Sequence, residues 1–393
     1  MKKEKSIRLP SFFEAILPII TMVSLMIYVF AFAKEKVDGK FESIYDGAHM
    51  PLICGIIVAC LVGMICGHSF KDMINGMINR ISTTLDAILI LLTVGLLVSS
   101  FMISGTIPAL IYYGLDLLNP KLFLPIGCII TAIVSLACGS SWTATATIGI
   151  AFMTIGKGMG INPAISAGMV ISGAYIGDKF SPLSDTTNLA AGVSKTGLFD
   201  HVTAMISTTG PVFIISLILY TILGIRANVV NYDPTIAEGI KTSLANNFNL
   251  NPLVLLPIAI IILVCVLRIE GLAGVMISVV VGIIFSLIFQ EQRSLAKIFS
   301  ILHYGPDIET GNAFVDQALA KGGMDNQMWT INLILLAVSF GGALETSGVV
   351  EKLFAHLKEK INSVGGLVFT TMVTSIFCDA TMCDQFLGIG VPA

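Results

Sequence analysis

Two aspartates, a lysine and a run of hydroxyls sit where a hydrophobic chain would least tolerate them. The segment Gly177-Asp178-Lys179-Phe180-Ser181-Pro182-Leu183-Ser184-Asp185-Thr186-Thr187-Asn188 gathers seven oxygen-bearing side chains in one short stretch: Asp178, Ser181, Ser184, Asp185, Thr186, Thr187 and Asn188. Upstream, Gly139-Ser140-Ser141-Trp142-Thr143-Ala144-Thr145 adds the hydroxyls of Ser140, Ser141 and Thr143. Carboxylate, hydroxyl and carbonyl oxygens are the donors that replace water around a hard cation, and in hydrocarbon they are costly unless something uses them. Burial disfavours a charged carboxylate and a bound cation favours it, so a proton and a sodium ion compete for one carboxyl group. The stretch 139–188 is therefore expected to hold an ion site, with Asp178 and Asp185 as its coupling groups.

Less demanding roles are open to the same residues. Asp185 could cap a helix starting at Thr186, Asp178 could cap the preceding helix end, and Lys179 could pair with either. Gly139, Thr143, Thr147 and Ala151 recur every four residues, a spacing that lets membrane helices pack closely. Trp142 reads as a packing or interfacial aromatic. Glu345 falls near the end of an apolar span, where it either snorkels to the interface or partners the ion site.

Other chemistries find little support. The 8 cysteines lie mostly in apolar runs without metal spacing and read as small buried residues, with no disulfide implied, and the 5 histidines form no ligand set. There is no His-Glu-x-x-His motif and no phosphate-binding Gly-x-x-x-x-Gly-Lys-Ser/Thr loop, and Tyr175 stands where an intramembrane aspartyl hydrolase would want the first glycine of Gly-x-Gly-Asp. The expectation is a protein that is not an enzyme and carries no cofactor. A net charge of -3 without a basic stripe points away from nucleic acid.

The elements that must position the polar residues follow from composition. Hydrophobic residues make up 55% of the 393 residues, charged residues 12%, and mean hydropathy is +0.89, which places the chain in a lipid bilayer as a multi-pass protein of the cytoplasmic membrane. Apolar spans are expected over 11–33, 48–67, 85–104, 122–138, 201–225, 252–267 and 271–289, with another opening at Trp329. A shorter apolar helix follows over 106–118. The amphipathic stretch 69–82 suits a helix in the interface. Lysines at 2, 3 and 5 with Arg8 favour a cytoplasmic N-terminus.

Around the polar stretch, a helix is expected to resume after Thr143 to about Ile155, and another to start near Pro163 and end around Gly177. Pro182 then interrupts the backbone between the aspartates.

The order span, span, amphipathic piece, span recurs. Val98-Ser99 echoes Val338-Ser339, and Cys138-Gly139-Ser140-Ser141 falls opposite Cys378-Asp379-Ala380-Thr381. This divides the chain into a first transmembrane repeat (1–225), a polar segment (226–251) and a second, incomplete repeat (252–393). A second polar break covers 379–385, with Asp384 near the place of Ala144. On this register the partner of everything after about Met153 is absent, so either the chain is a fragment or the repeat is asymmetric. The expected fold class is an all-α integral membrane protein, a polytopic helical bundle with internal, inverted repeats and interrupted transmembrane helices.

The Gly139 and Gly177 segments together resemble the signature of the NhaC-type sodium/proton antiporter family, and Cys383-Asp384-Gln385-Phe386 resembles that family's second-half motif. The resemblance implies a secondary transporter exchanging sodium for protons, some members instead coupling sodium and protons to malate and lactate exchange. Carried over to this chain, the family's polar motif falls on Ser140, Ser141, Thr143, Asp178, Ser181, Ser184, Asp185, Thr186, Asn188, Asp384 and Gln385. It implies sodium, protons and the bilayer as partners and leaves open a small organic anion and a homo-oligomer. Family members normally continue for several more spans, so the resemblance also implies C-terminal truncation. No arginine lies within 139–188 to clamp a substrate carboxylate, which favours an inorganic ion over an organic-acid or amino-acid exchanger. A passive channel would conduct sodium without moving protons.

Overall fold

The structure is a computed structural model that describes residues 7–37, 40–45, 47–117, 121–139, 141–182, 184–227, 234–267, 269, 271–290, 294–312, 315, 316, 319, 322–358 and 363–382. Helix α1 (Phe12–Ile27) starts at a capping box in which Ser11 and Glu14 satisfy each other's backbone N–H groups. Arg8 grips the Glu14 carboxylate at 2.7 and 2.8 Å. Glu14 thus completes a helix start rather than an ion site. The helix runs on through a π turn (Tyr28–Phe32) into a two-stranded antiparallel hairpin, β1 (Lys34–Val37) and β2 (Lys40–Ser43), a small addition to an otherwise helical fold.

Helix α2 (His49–Ile65) covers the second apolar run. Helix α3 (Phe70–Ser82) is the amphipathic piece, again opened by a capping box, between Ser69 and Asp72. Hydrogen bonds from the Ser69 hydroxyl and N–H hold the Asp72 carboxyl below the usual range. Helix α4 (Leu85–Ile103) turns at Ser104-Gly105 into α5 (Thr106–Leu117), and α6 (Phe123–Cys138) leads to the polar stretch.

Beyond it come α7 (Ser141–Ala144), a π stretch (Thr145–Gly149), α8 (Ile150–Gly158), α9 (Pro163–Phe180), α10 (Asp185–Val193) and α11 (Leu198–Ala227). The polar segment 226–251 contains a further helix, α12 (Pro234–Asn247), whose Ile240 and Leu244 are fully buried. Two apolar residues four apart are enough to seat one face of a polar helix. After a short turn (Pro252–Leu255) follow α13 (Leu256–Val266), α14 (Gly271–Phe289), α15 (Leu295–Tyr304), α16 (Met324–Thr346), α17 (Val349–Lys358) and α18 (Val364–Met382).

Among the described residues, four helices are long and apolar enough to cross a membrane: Phe12–Phe32, Leu198–Arg226, Leu272–Phe289 and Met324–Thr346. Two further pairs reach that length only together, Ile88–Ile103 with Thr106–Leu115 bent by 65°, and Glu238–Asn247 with Pro252–Ile261 bent by 98°. The chain is thus a multi-pass helical membrane protein with interrupted helices. It groups into two compact units, the described residues of 1–88 with 329–393, and those of 89–328. Each has its own core, the first around Met22, Leu52, Met73 and Phe340, the second around Phe101, Phe123, Leu124 and Met169. Packing defines these units, whereas the repeat is a statement about the order of elements, so the two divisions need not coincide.

Candidate functional site

The site lies in the second unit, where the chain breaks between α9 and α10. Asn162 caps α9 through a hydrogen bond from Ala164 N–H (2.9 Å), and Pro163 takes the first helical position. The helix does not stop near Gly177. It continues to Phe180, because the residue before Pro182 is the one forced out of helical conformation: Ser181 adopts φ -82, ψ 122. Asp178 therefore sits in the last turn of α9 and not on interrupted backbone. Ser184, with φ -74 and ψ 131, opens α10 by accepting the Thr187 N–H at 3.4 Å. Ser184 is the N-cap and Asp185 the first helical residue, so neither aspartate takes the capping role open to it.

The Asp178 side chain is only 3% exposed. Thr186 Oγ1 donates to its Oδ2 at 3.2 Å, and Thr186 and Ser184 exchange a hydrogen bond of 2.9 Å. The first turn of α10 thus supplies the carboxylate's hydroxyl donor, and a helix N-terminus stabilises negative charge. The start of the helical run 141–158 packs against α9, the helix that carries this carboxylate. Among the described contacts, Lys179 forms no ion pair with Asp178.

The break itself is braced by side chains. Thr187 Oγ1 lies 3.2 Å from the carbonyls of both Asp178 and Lys179, the last-turn acceptors that a helix leaves unmet. Asn188 Nδ2 donates to the carbonyls of Pro182 (3.0 Å) and Ser184 (2.8 Å). Ser181, Ser184, Thr186 and Thr187 are all buried. Oxygen donors and a carboxylate at a helix interruption form an arrangement able to receive a cation or a proton.

Facing this break, α6 ends at Gly139 in left-handed conformation, φ +63. Ser141 is buried and Trp142 is 46% exposed, as suits an aromatic at the edge of the protein. The helix expected after Thr143 is present to Gly158, but carries the π stretch Thr145–Gly149, a feature often found at functional sites. Ser140, Asp384 and Gln385 lie outside the described residues, as do the side chains of Thr143, Thr147 and Asp185. Glu345, in the other unit, lies 3.7 Å from Arg80 of α3 with its side chain 61% exposed.

The sequence reading did not assign Gly173 or Ser135, nor the packing role of Gly177. A Cβ on Gly173 would collide with the Cys128 carbonyl, and one on Gly177 would collide with the Ala132 carbonyl and come within 2.7 Å of Leu136 N. Ser135 Oγ of α6 donates to the Ala174 carbonyl at 2.5 Å, one turn before Asp178. The Gly-x-x-x-Gly spacing at 173 and 177 was the available signal.

A polytopic helical protein that buries a carboxylate among hydroxyls and helix starts at a broken helix has the construction of a secondary transporter. The chain belongs to the Na+/H+ antiporter family, whose pattern matches residues 173–393. It is 35% identical to the "Na(+)/H(+) antiporter NhaC" of Alkalihalophilus pseudofirmus over 88% of this chain and 74% of that protein. It is 32% identical to the "Malate-2H(+)/Na(+)-lactate antiporter" of Bacillus subtilis over 98% of this chain and 80% of that protein. The "Arginine/ornithine antiporter ArcD" of Halobacterium salinarum is 35% identical over 98% of this chain and 77% of its own length. No solved structure matches the chain significantly.

Proposed function

We propose that the protein exchanges sodium for protons across the membrane, with the two ions competing for the carboxyl group of Asp178. The observation that carries this assignment is the burial of Asp178 at the break between α9 and α10, with Thr186 donating to its carboxylate and Ser184 bonded in turn to Thr186. Ser181 and Asn188 line or brace that break, and Ser140, Thr143, Asp185, Asp384 and Gln385 stay in the proposed set through the family motif. Glu345 lies 3.7 Å from Arg80, and the reading does not rest on it. The reading describes a transporter and not an enzyme, with no resident cofactor.

The test is proton flux in proteoliposomes on adding sodium, lithium, potassium or malate. Sodium-driven flux is expected from the unmodified protein, with loss of at least about a hundredfold in Asp178→Asn, as for removal of a charge-bearing ligand. Full exchange by that variant would sink the assignment. The malate/lactate and arginine/ornithine relatives support a second reading, an organic-ion substrate coupled to sodium or protons; malate-dependent flux would select it. A homo-oligomer belongs to this proposal as a question for sizing in detergent.

The repeat over 1–225 and 252–393, divided at 226–251, is part of the same reading, supported by two elbows of like geometry that stand three residues out of the register set by Val98-Ser99 and Val338-Ser339. Ser104 N–H donates to Ser100 O (3.0 Å), Gly105 N–H to Met102 O (3.1 Å), and Gly105 has φ +81. Ser347 N–H donates to Ala343 O (3.0 Å), Gly348 N–H to Glu345 O (3.1 Å), and Gly348 has φ +75. Both serines are fully buried with their hydroxyls turned back on the carbonyl three residues before.

A further inference from the structure

Gln290, just past the end of α14, reaches two helix breaks at once. Its Nε2 donates to the carbonyls of Ser104 (3.1 Å) and Asn249 (3.0 Å), and its Oε1 accepts the Asn249 N–H (3.0 Å). Ser104 lies in the 65° bend between α4 and α5, and Asn249 in the 98° bend between α12 and the turn before α13. A side chain at Gly105 would collide with Nε2, so this elbow needs glycine for its φ and for the room it gives Gln290. Thr106 Oγ1 donates to Val254 O (2.8 Å) and Tyr113 OH to Leu250 O (2.7 Å), stitching the same two bends together.

The half-helices leaving these bends converge on the helical run 141–158. Both α5 and α12 pack against α8, where Gly158 lies against Leu115 and Ile240. From there the helix runs back through the π stretch to Ser141–Ala144, which packs against α9, the helix that carries Asp178. The π stretch is a local departure from the i→i+4 ladder, of the kind frequent at functional sites.

We propose that Gln290 is a positioning residue for the ion site: by fixing both bends it sets, through α5, α12 and α8, how the start of the 141–158 helix packs against α9, which carries Asp178. This rests on the reading of Asp178 as the ion-exchanging carboxylate. The substitution Gln290→Met keeps the side chain's length and removes all three hydrogen bonds.

Amide hydrogen exchange of the purified protein in detergent is the first readout. Residues 141–149 are expected to exchange about tenfold faster in the variant, the effect of losing one or two net hydrogen bonds' worth of local stability, with 124–136 unchanged. In proteoliposomes the KM for sodium is expected to rise at least about threefold, with the pH profile displaced. Unchanged exchange at 141–149 in the folded variant would overturn the proposal, as would a loss of Vmax alone with KM and pH profile intact. Thr106→Val, which removes one stitch, gives the same comparison with a smaller expected effect should Gln290→Met not fold. If the unmodified protein moves no protons on adding sodium, the proposed function fails, while hydrogen exchange still decides whether Gln290 holds the 141–149 segment.

Discussion

Asp178 and Asp185 are two acids in one twelve-residue motif, and the fold places them in different helices. Asp178, in the last turn of α9, lies at the helix end where a negative charge is least welcome, and it takes a hydrogen bond from Thr186 of α10. Asp185 is the first residue of α10, the helix that follows the break. An acid held at the unfavourable end of its own helix stays charged only while its outside donors, or a cation, are in place. Thr186 tests this most cleanly, because Val has the shape of Thr without the hydroxyl. Thr186→Val is expected to raise the KM for sodium roughly tenfold, in line with a hydrogen bond to a charged group, with the folded protein recovered in similar amount. Sodium titration of initial proton flux measures it, and an unaltered KM would place Thr186 outside the ion's reach.

At the scale of elements, the site depends on α6 and α9 approaching closely enough for backbone to meet backbone. Without side chains at Gly173 and Gly177, α9 rests directly on the Cys128 and Ala132 carbonyls, and Ser135 fastens the turn before Asp178. Gly177→Ala is expected to push the helices apart and cost about 1–3 kcal/mol, as overpacking does. It should lower thermal stability and transport together, and a variant with wild-type melting would refute this close seam. The apolar runs were legible because length and punctuation mark them: the Ser11 and Ser69 capping boxes and Pro163 at the first helical position are local signals. The partners of Gly173 and Gly177 lie some forty residues away in sequence, so periodicity alone did not reveal which surface the glycines face. Helix α12 was hidden by its polar composition: among its described residues the buried apolar ones are Ile240 and Leu244. Gln290 was invisible because all its partners are backbone groups, which no residue type announces.

For the whole molecule, competition between two ions at one carboxyl group is also a statement about stability. A ligand that binds only the folded protein stabilises it by an amount that grows with its concentration relative to Kd, about 2.7 kcal/mol at a hundredfold excess over Kd. Sodium chloride is therefore expected to raise the melting temperature of the detergent-solubilised protein above that in choline chloride of equal ionic strength. The sign with pH follows from the competition: a proton on the carboxyl group excludes sodium, so the apparent Kd for sodium rises as pH falls. The sodium-dependent increment should be larger in alkaline than in mildly acidic buffer, and Asp178→Asn should abolish it at both. If the increment persisted undiminished in that variant, the ion would have to bind somewhere other than the break between α9 and α10. An increment that grew toward acid pH would instead mean that proton and sodium bind together, and exchange at a shared carboxylate would be the wrong mechanism.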